Sequence, residues 1–307
     1  MNIAIVGAGA LGVYFGGRLE ESGHKVTFLV REKRAEQIKQ FGLKIHSVRG
    51  DYSFSNVNFT TDAANIKQAD LVLLSVKGYH LQGALPTLEK LTRKGAKVLP
   101  LLNGVEHYQI LQKALGEETI LGGLAFIIAT LDEKGYVYHT SKQHKLVFGP
   151  LQEEQESYCE ELYEAFRKAN FEVERSDKIE TAIWNKYMFI TAFSGLTTAT
   201  NLPIGTIRKH PETLEIGMKM LREMKELANL YNVPLTEKHL EKSILSMKQL
   251  PEDGTSSMHQ DKKKGLPLEL DHLQGAALRL ATQKNASLPT IETIYQLLKP
   301  YERGLNQ

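Results

Sequence analysis

Cysteine is almost missing from this sequence. One residue, Cys159, in 307 excludes an internal disulfide framework and any cysteine-rich zinc or iron–sulfur centre. Cys159 sits among Glu156, Glu160 and Glu161, an acidic setting that disfavours the thiolate, so it reads as structural. Long apolar runs are missing too. No stretch of 18 apolar residues occurs, and no membrane span is expected. The apolar, glycine-interrupted start lacks the basic residues of a secretory signal. Nor is there an excess of charge: 38 Lys plus Arg against 36 Asp plus Glu leaves a net +2, which argues against a nucleic-acid partner. The histidines show no metal-ligand spacing, and no G-x-S-x-G element or P-loop occurs. The expectation is a cytoplasmic protein with no metal.

The apolar fraction of 42% supplies buried cores, and 307 residues exceed what one core usually holds, so two domains are expected. Short runs rich in Val, Ile and Leu at 2–6, 25–30, 71–76 and 97–102 have the length of buried strands. Helical patterns at 11–20, 34–40 and 80–91 separate them. This alternation predicts a doubly wound parallel sheet covered on both faces, an α/β fold of Rossmann type. A fifth apolar run covers 119–129, a hairpin is expected from 135–139 and 145–148, a helix over 153–169 and a short strand over 171–175. Beyond residue 177 nearly everything reads as helix: 177–195, 211–232, 236–249, 256–264, 269–284 and 290–302, punctuated by prolines. The expected division is a nucleotide-binding domain at 1–172 and an all-α domain at 173–307.

The first chemistry-bearing motif is Gly7-Ala8-Gly9-Ala10-Leu11-Gly12. G-x-G-x-x-G is weak alone, but here it follows a strand and opens a helix. The first glycine permits a tight turn, the second lets a pyrophosphate approach the backbone, and the third lets helix and strand pack closely. The helix N-terminus offers free N–H groups to the phosphates. Arg31 stands at the end of the second strand, where an acidic residue would hold the ribose hydroxyls of NAD and an arginine suits the 2′-phosphate of NADP. Glu32 blurs that reading, whereas Lys33 and Arg34 add positive charge. Lys77 and Asn103 end two further strands, on the sheet edge where such folds bind ligands. Asn103-Gly104 is also a plain turn signal.

In the helix 177–195, Ile179, Ile183, Ile190 and Phe193 share one face, and Lys186 falls in the middle of it. An ammonium there must snorkel out, find a partner or lose basicity by desolvation. A partly desolvated lysine facing a cleft is a candidate general acid. Glu269 opens the helix 269–284, where a carboxylate also complements the helix dipole. Ser256 and Ser257 are candidate helix caps as well as candidate ligands.

Together these residues resemble the ketopantoate reductase (2-dehydropantoate 2-reductase) family over essentially the full length. The resemblance rests on Gly7-Ala8-Gly9-Ala10-Leu11-Gly12, Arg31, Val76-Lys77, Asn103-Gly104, Trp184-Asn185-Lys186, and Ser256-Ser257-Met258 followed by Asp261, Gly265 and Glu269. The last two groups are the more specific. The resemblance implies a Rossmann domain followed by a helical domain like that of 6-phosphogluconate dehydrogenase. It implies NADPH-dependent reduction of 2-dehydropantoate to (R)-pantoate on the route to pantothenate and coenzyme A. By it, Lys186 is the proton donor and Glu269 its catalytic companion beside the cofactor ribose. Asn103 and Ser257 contact the substrate, Asn103 also the nicotinamide end, and Arg31 and Lys77 hold the adenosine phosphate; Ser194, in place of a family asparagine, keeps a hydroxyl that can still hydrogen-bond the substrate.

The sequence departs from the family where asparagines stand four and eight residues after the lysine: here these are Ile190 and Ser194. Ile204 replaces a further asparagine, and His80 a common glutamine. Polar-to-apolar changes at substrate contacts alter discrimination strongly. Reduction of a different 2-keto acid is therefore a second reading, and a non-catalytic NADP(H)-binding sensor a third. Helical domains of this type often pair, so the analogy suggests a homodimer.

Overall fold

The computed structural model describes residues 1–304. The chain begins with β1 (Asn2–Val6), α1 (Ala10–Glu21), β2 (Lys25–Leu29) and α2 (Glu32–Phe41). Short strands β3 (Lys44–Ser47), β4 (Tyr52–Ser53) and β5 (Phe59–Thr60) follow. Then come β6 (Leu71–Leu74), α3 (Leu81–Thr92), β7 (Lys97–Pro100) and α4 (Glu106–Leu115). Strands β1, β2, β5, β6 and β7 form a parallel sheet in the order β5-β2-β1-β6-β7. The chain reverses its direction of travel across the sheet at β1 and β6, and ligands of open α/β sheets bind outside the carboxyl ends of the strands at such a point. Ile3, Ala4, Ile5, Leu71, Val72, Leu73 and Leu74 are all buried, which explains why these strands read as continuous apolar runs.

A second sheet is built round β9 (Val137–Gly149), which pairs antiparallel with β8 (Gly122–Leu131) and parallel with β3 and β10 (Glu172–Arg175). The hairpin expected from 135–139 and 145–148 is instead this one thirteen-residue strand. Its polar middle stays extended because β8 runs alongside, with a register shift between Ile127 and Ala129. Helix α5 (Glu156–Phe166) turns Cys159 into the core, where burial pushes the thiol up to about 12, in keeping with a structural role.

From α6 (Ile179–Thr200) onward the chain is helical: α7 (Ile204–Arg208), α8 (Pro211–Leu230), α9 (Glu237–Gln249) and α10 (Ser257–Lys263). A single π-helical turn at Asp271–Gly275 then leads into α11 (Ala276–Gln283), and α12 (Pro289–Leu298) follows. Much of α6 is buried all round, including Thr191, Ser194, Thr197 and Thr198. Thr197 and Thr200 donate their hydroxyls to carbonyls four residues back, whereas the buried hydroxyls of Thr191, Ser194 and Thr198 have no hydrogen-bond partner among the described residues.

The chain separates into two compact units. One comprises Met1–Leu102 and His107–Ile179, the other Asn103–Glu106 and Glu180–Gln307. A boundary at 172/173 would cut into β10, whose ladder with β9 holds residues 172–175 in the first unit. The excursion of Asn103–Glu106 into the helical unit has no counterpart in the sequence pattern. Helix α4, α7 and the short strands β3, β4 and β5 also went unmarked there. β4 and β5 span two residues each, too few for a period to show.

The first unit carries two buried imidazoles, His139 and His144, with ring centroids 5.7 Å apart. The Tyr14 hydroxyl lies 2.7 Å from His144 Nδ1, and the Ser47 hydroxyl 2.8 Å from His139 Nδ1. Burial lowers the pKa of both histidines, helped by the charges of Arg18 and Arg49. The unfolded chain therefore binds more protons than the folded one just below the ordinary histidine value of about 6.5. Stability is complete above that value and falls as pH drops through the lowered folded-state values. The urea midpoint should decline on this acid limb, and His144→Gln should flatten the decline. Identical pH dependence in both proteins would refute the assignment.

Candidate active site

The glycine loop connects β1 to α1, and the fold itself requires two of its three glycines. Gly7 has φ +105°, and a Cβ there would lie 2.8 Å from the Ser75 carbonyl carbon. A Cβ at Gly12 would fall 2.1 Å from the Gly7 oxygen. Gly9 is the exception: its Cβ would meet nothing within 4 Å. Gly9 also caps α1 without any side-chain hydrogen bond, so the backbone N–H groups of Ala10 and Leu11 begin the helix beside open space. Ala8 is buried behind this turn. The Ser75 hydroxyl donates to the Gly7 carbonyl at 2.7 Å and ties the loop to the end of β6.

Arg31 is the exposed N-cap of α2, with Nη2 3.4 Å from His80 Nε2. Lys77 caps the turn Gly78–His80 at the end of β6 and is half-buried. Arg34 is engaged otherwise: Nε donates to the Ala8 carbonyl at 3.1 Å and Nη2 to the Gly135 carbonyl at 2.9 Å. It braces the glycine loop, so the local positive cluster is smaller than residues 31–34 suggest. The loop, Arg31, Lys77 and His80 all belong to the first unit.

In the helical unit, Lys186 lies on α6 and is half-buried. Desolvation lowers its pKa from an ordinary lysine value to about 8, although the Glu269 carboxylate raises it. Glu269 is 7% exposed and immediately precedes the first helical residue, Leu270; its carbonyl accepts from the Leu273 N–H at 3.0 Å. The chain folds this way because the π-helical turn at Asp271–Gly275 is held from α6. Tyr187 donates its hydroxyl to the Leu273 carbonyl at 2.6 Å, and Gln274 Nε2 donates to the Thr191 carbonyl at 2.8 Å. Trp184, one residue from Asn185, packs between Tyr187 and Tyr231 with centroid distances of 5.8 and 5.5 Å. The Asn185 Oδ1 is buried without a hydrogen-bond partner among the described residues. π-turns of this kind recur at functional sites.

Asn103 joins the same unit through Gly104, whose φ is +92° and whose Cβ would stand 3.1 Å from the His272 carbonyl oxygen. Of the serine pair, Ser256 is the buried cap: its hydroxyl accepts from the His259 N–H at 3.1 Å and lies 3.0 Å from Thr197 Oγ1. Ser257 is the exposed first residue of α10. Ile190, one turn after Lys186, is half-buried. Ser194 and Ile204 are drawn inward instead, at 1% and 0% exposure. The helical unit therefore brings Lys186 and Glu269 into electrostatic contact and carries Asn103 and Ser257, while Ser194 and Ile204, like Glu269, are buried in it. Sequence reading missed Tyr187, Gln274, Glu106, Asp271 and Arg279. Their signal is a contact between distant segments, and no local period carries it.

The description "Ketopantoate reductase PanE/ApbA" matches residues 3–153, and its C-terminal counterpart matches residues 178–302. An uncharacterized oxidoreductase, YkpB, of Bacillus subtilis (strain 168) is 37% identical, covering 98% of this chain and 99% of its own. The crystal structure of 2-dehydropantoate 2-reductase from Geobacter metallireducens GS-15 superposes with a TM-score of 0.91 at 27% identity, covering 98% of this chain and 99% of that one. A D-mandelate dehydrogenase solved with NADH and anilino(oxo)acetate shares the fold, with a TM-score of 0.89 at 24% identity and 98% coverage of both chains. Fold and site thus define an oxidoreductase with a Rossmann-type N-terminal unit. The chain belongs to the ketopantoate reductase family.

Gly9→Ala and Gly12→Ala should behave oppositely. The first adds a methyl into open space and should leave the melting temperature nearly unchanged. The second drives a methyl into backbone and should destabilise by about 1–3 kcal/mol. Calorimetry on both checks this, and equal losses would contradict the loop geometry.

Proposed function

We propose that this protein is an NADPH-dependent reductase of a 2-keto acid, with 2-dehydropantoate the substrate and (R)-pantoate the product. The observation that carries the reading is Lys186, a desolvated ammonium with a pKa near 8 beside the Glu269 carboxylate. The glycine loop fits a dinucleotide: Gly9 leaves open the space a side chain would fill, and α1 starts without a side-chain cap. Bound NADPH supplies the hydride that adds to the ketone carbon of the substrate.

The chain's own residues do the rest. The free N–H groups at the start of α1 take the pyrophosphate, and Arg31 with Lys77 takes the adenosine phosphates. Protonated Lys186 hydrogen-bonds the ketone oxygen and delivers its proton there as negative charge develops, a contribution typically worth about 10²–10⁴-fold. Glu269 keeps that ammonium charged in a site poor in water. Asn103 and Ser257 orient the substrate, Asn103 also the nicotinamide.

Ile190 favours a second reading, in which the substrate is a 2-keto acid with an apolar substituent. The side chain one turn from Lys186 cannot hydrogen-bond, and apolar sites select by fit. The D-mandelate dehydrogenase of the same fold, solved with NADH, supports leaving both acid and coenzyme to experiment. Steady-state kcat/KM over branched, unbranched and aryl 2-keto acids decides between the readings. A clear preference for 2-dehydropantoate removes the second.

Lys186→Met should lose most turnover and still bind NADPH; wild-type-like kcat would end its role as proton donor. Because the protonated lysine is the active form, kcat/KM of the wild type should fall as pH rises through about 8. A flat profile to pH 10 would contradict this. Arg31→Ala should weaken NADPH much more than NADH, measured by fluorescence titration. Equal weakening would overturn the 2′-phosphate assignment.

A further inference from the structure

We infer that Arg279 is a positioning residue: its guanidinium fastens the Asn103–Glu106 segment to the π-helical turn that follows Glu269, and so sets Asn103 and Glu269 relative to each other. This rests on the reductase reading above. The guanidinium is fully used. Nε donates to Glu106 Oε1 at 2.8 Å and Nη2 to Glu106 Oε2 at 2.7 Å, a parallel fork. Nη1 reaches both carboxylate oxygens of Asp271 at 3.1 and 3.2 Å, and Nη2 also donates to the Asp271 carbonyl at 3.0 Å. Glu106 lies three residues after Asn103, and Asp271 two residues after Glu269.

The surroundings permit no looser arrangement. Gly104 turns with positive φ against the His272 carbonyl, two residues before the glutamate that the fork holds. Tyr295 donates its hydroxyl to Asp271 Oδ1 at 3.2 Å and fixes the other carboxylate. Tyr187, the neighbour of Lys186, bonds Leu273 in the middle of the same turn. Lys186, Glu269 and Asn103 are thus each one to three residues from a group anchored at Asp271–Gly275. Arg279 is exposed by 42%, and ion pairs so exposed add little to stability. Five hydrogen bonds on one side chain therefore point to geometry as its contribution. A lysine lacks the planar fork and cannot satisfy both carboxylates in this way.

The test compares wild type, Arg279→Met and Arg279→Lys. Three quantities are measured: kcat and KM for the preferred 2-keto acid, the Kd for NADPH by fluorescence, and the Lys186 titration by 13C NMR without substrate or coenzyme. A misplacement of about 1 Å can cost about 10²-fold, so Arg279→Met should lose kcat/KM on that order. NADPH affinity should fall much less than kcat/KM, since only the Asn103 contact is displaced while the glycine loop, Arg31 and Lys77 in the first unit are untouched. Glu269 raises the basicity of Lys186, so its displacement should move the Lys186 titration to lower pH, which a merely structural role would not do. Arg279→Lys should fall between the two and decides the matter if the methionine variant does not fold. Wild-type kcat/KM with an unmoved Lys186 titration in the folded variants overturns the inference. Absence of NADPH-dependent turnover in the wild type overturns the reductase reading instead, and the NMR arm still reports on Arg279.

Discussion

A lysine drawn partly out of water is the constraint round which the helical unit is arranged. Desolvation acts against the ammonium, and alone it would drive Lys186 towards the neutral amine. Glu269 opposes that tendency from a position that is itself buried, so neither charge sits where solvent would put it. Such a pair is useful only if its geometry is imposed from outside, because buried charges relax towards solvent or protonate when they are free to do so. The imposition comes from the π-helical turn, pinned by Tyr187 and the Thr191 carbonyl on α6 and by Arg279 on α11. A widened turn is a sensible device here. It lets the chain leave Glu269 at a helix entrance and still bring Leu280 and Ala281 into the core a few residues later.

The first unit solves a different problem with simpler means. On the reading proposed above it presents backbone N–H groups to an anion, and the glycine loop is suited to that by exclusion. Two of its glycines are forced by neighbouring backbone, and the third is glycine although nothing in the protein occupies the space beside it. That third position separates a turn that merely folds from one that leaves room for a ligand. Arg34 illustrates the converse. Its sequence position suggests a phosphate contact, but its guanidinium is spent on the Ala8 and Gly135 carbonyls.

Legibility from sequence followed the range of the interaction. Parallel strands buried on both faces leave continuous apolar runs, so β1, β2, β6 and β7 stood out within one or two residues of their ends. The glycine motif was readable because its three requirements fall within six residues. Lys186 was conspicuous as a charge on an apolar face, although α6 is buried more completely than that argument supposed. Ser194 and Ile204 stand where the family carries asparagine, and spacing alone gives no sign that both side chains are buried. Arg279 and Glu106, 173 residues apart, could not be joined by any periodicity.

The excursion of Asn103–Glu106 also bears on how the protein acquires its native state. The helical unit is not made from its own contiguous sequence; it needs four residues supplied from a loop far upstream. Contacts of that separation cost closure entropy before they return anything, and they form late. The second half of the chain can gather its helices by local contacts, yet it completes the Arg279 clamp only after the first half has delivered that loop. Final assembly of the unit that carries Lys186 is in this way made conditional on the segment that leaves β7.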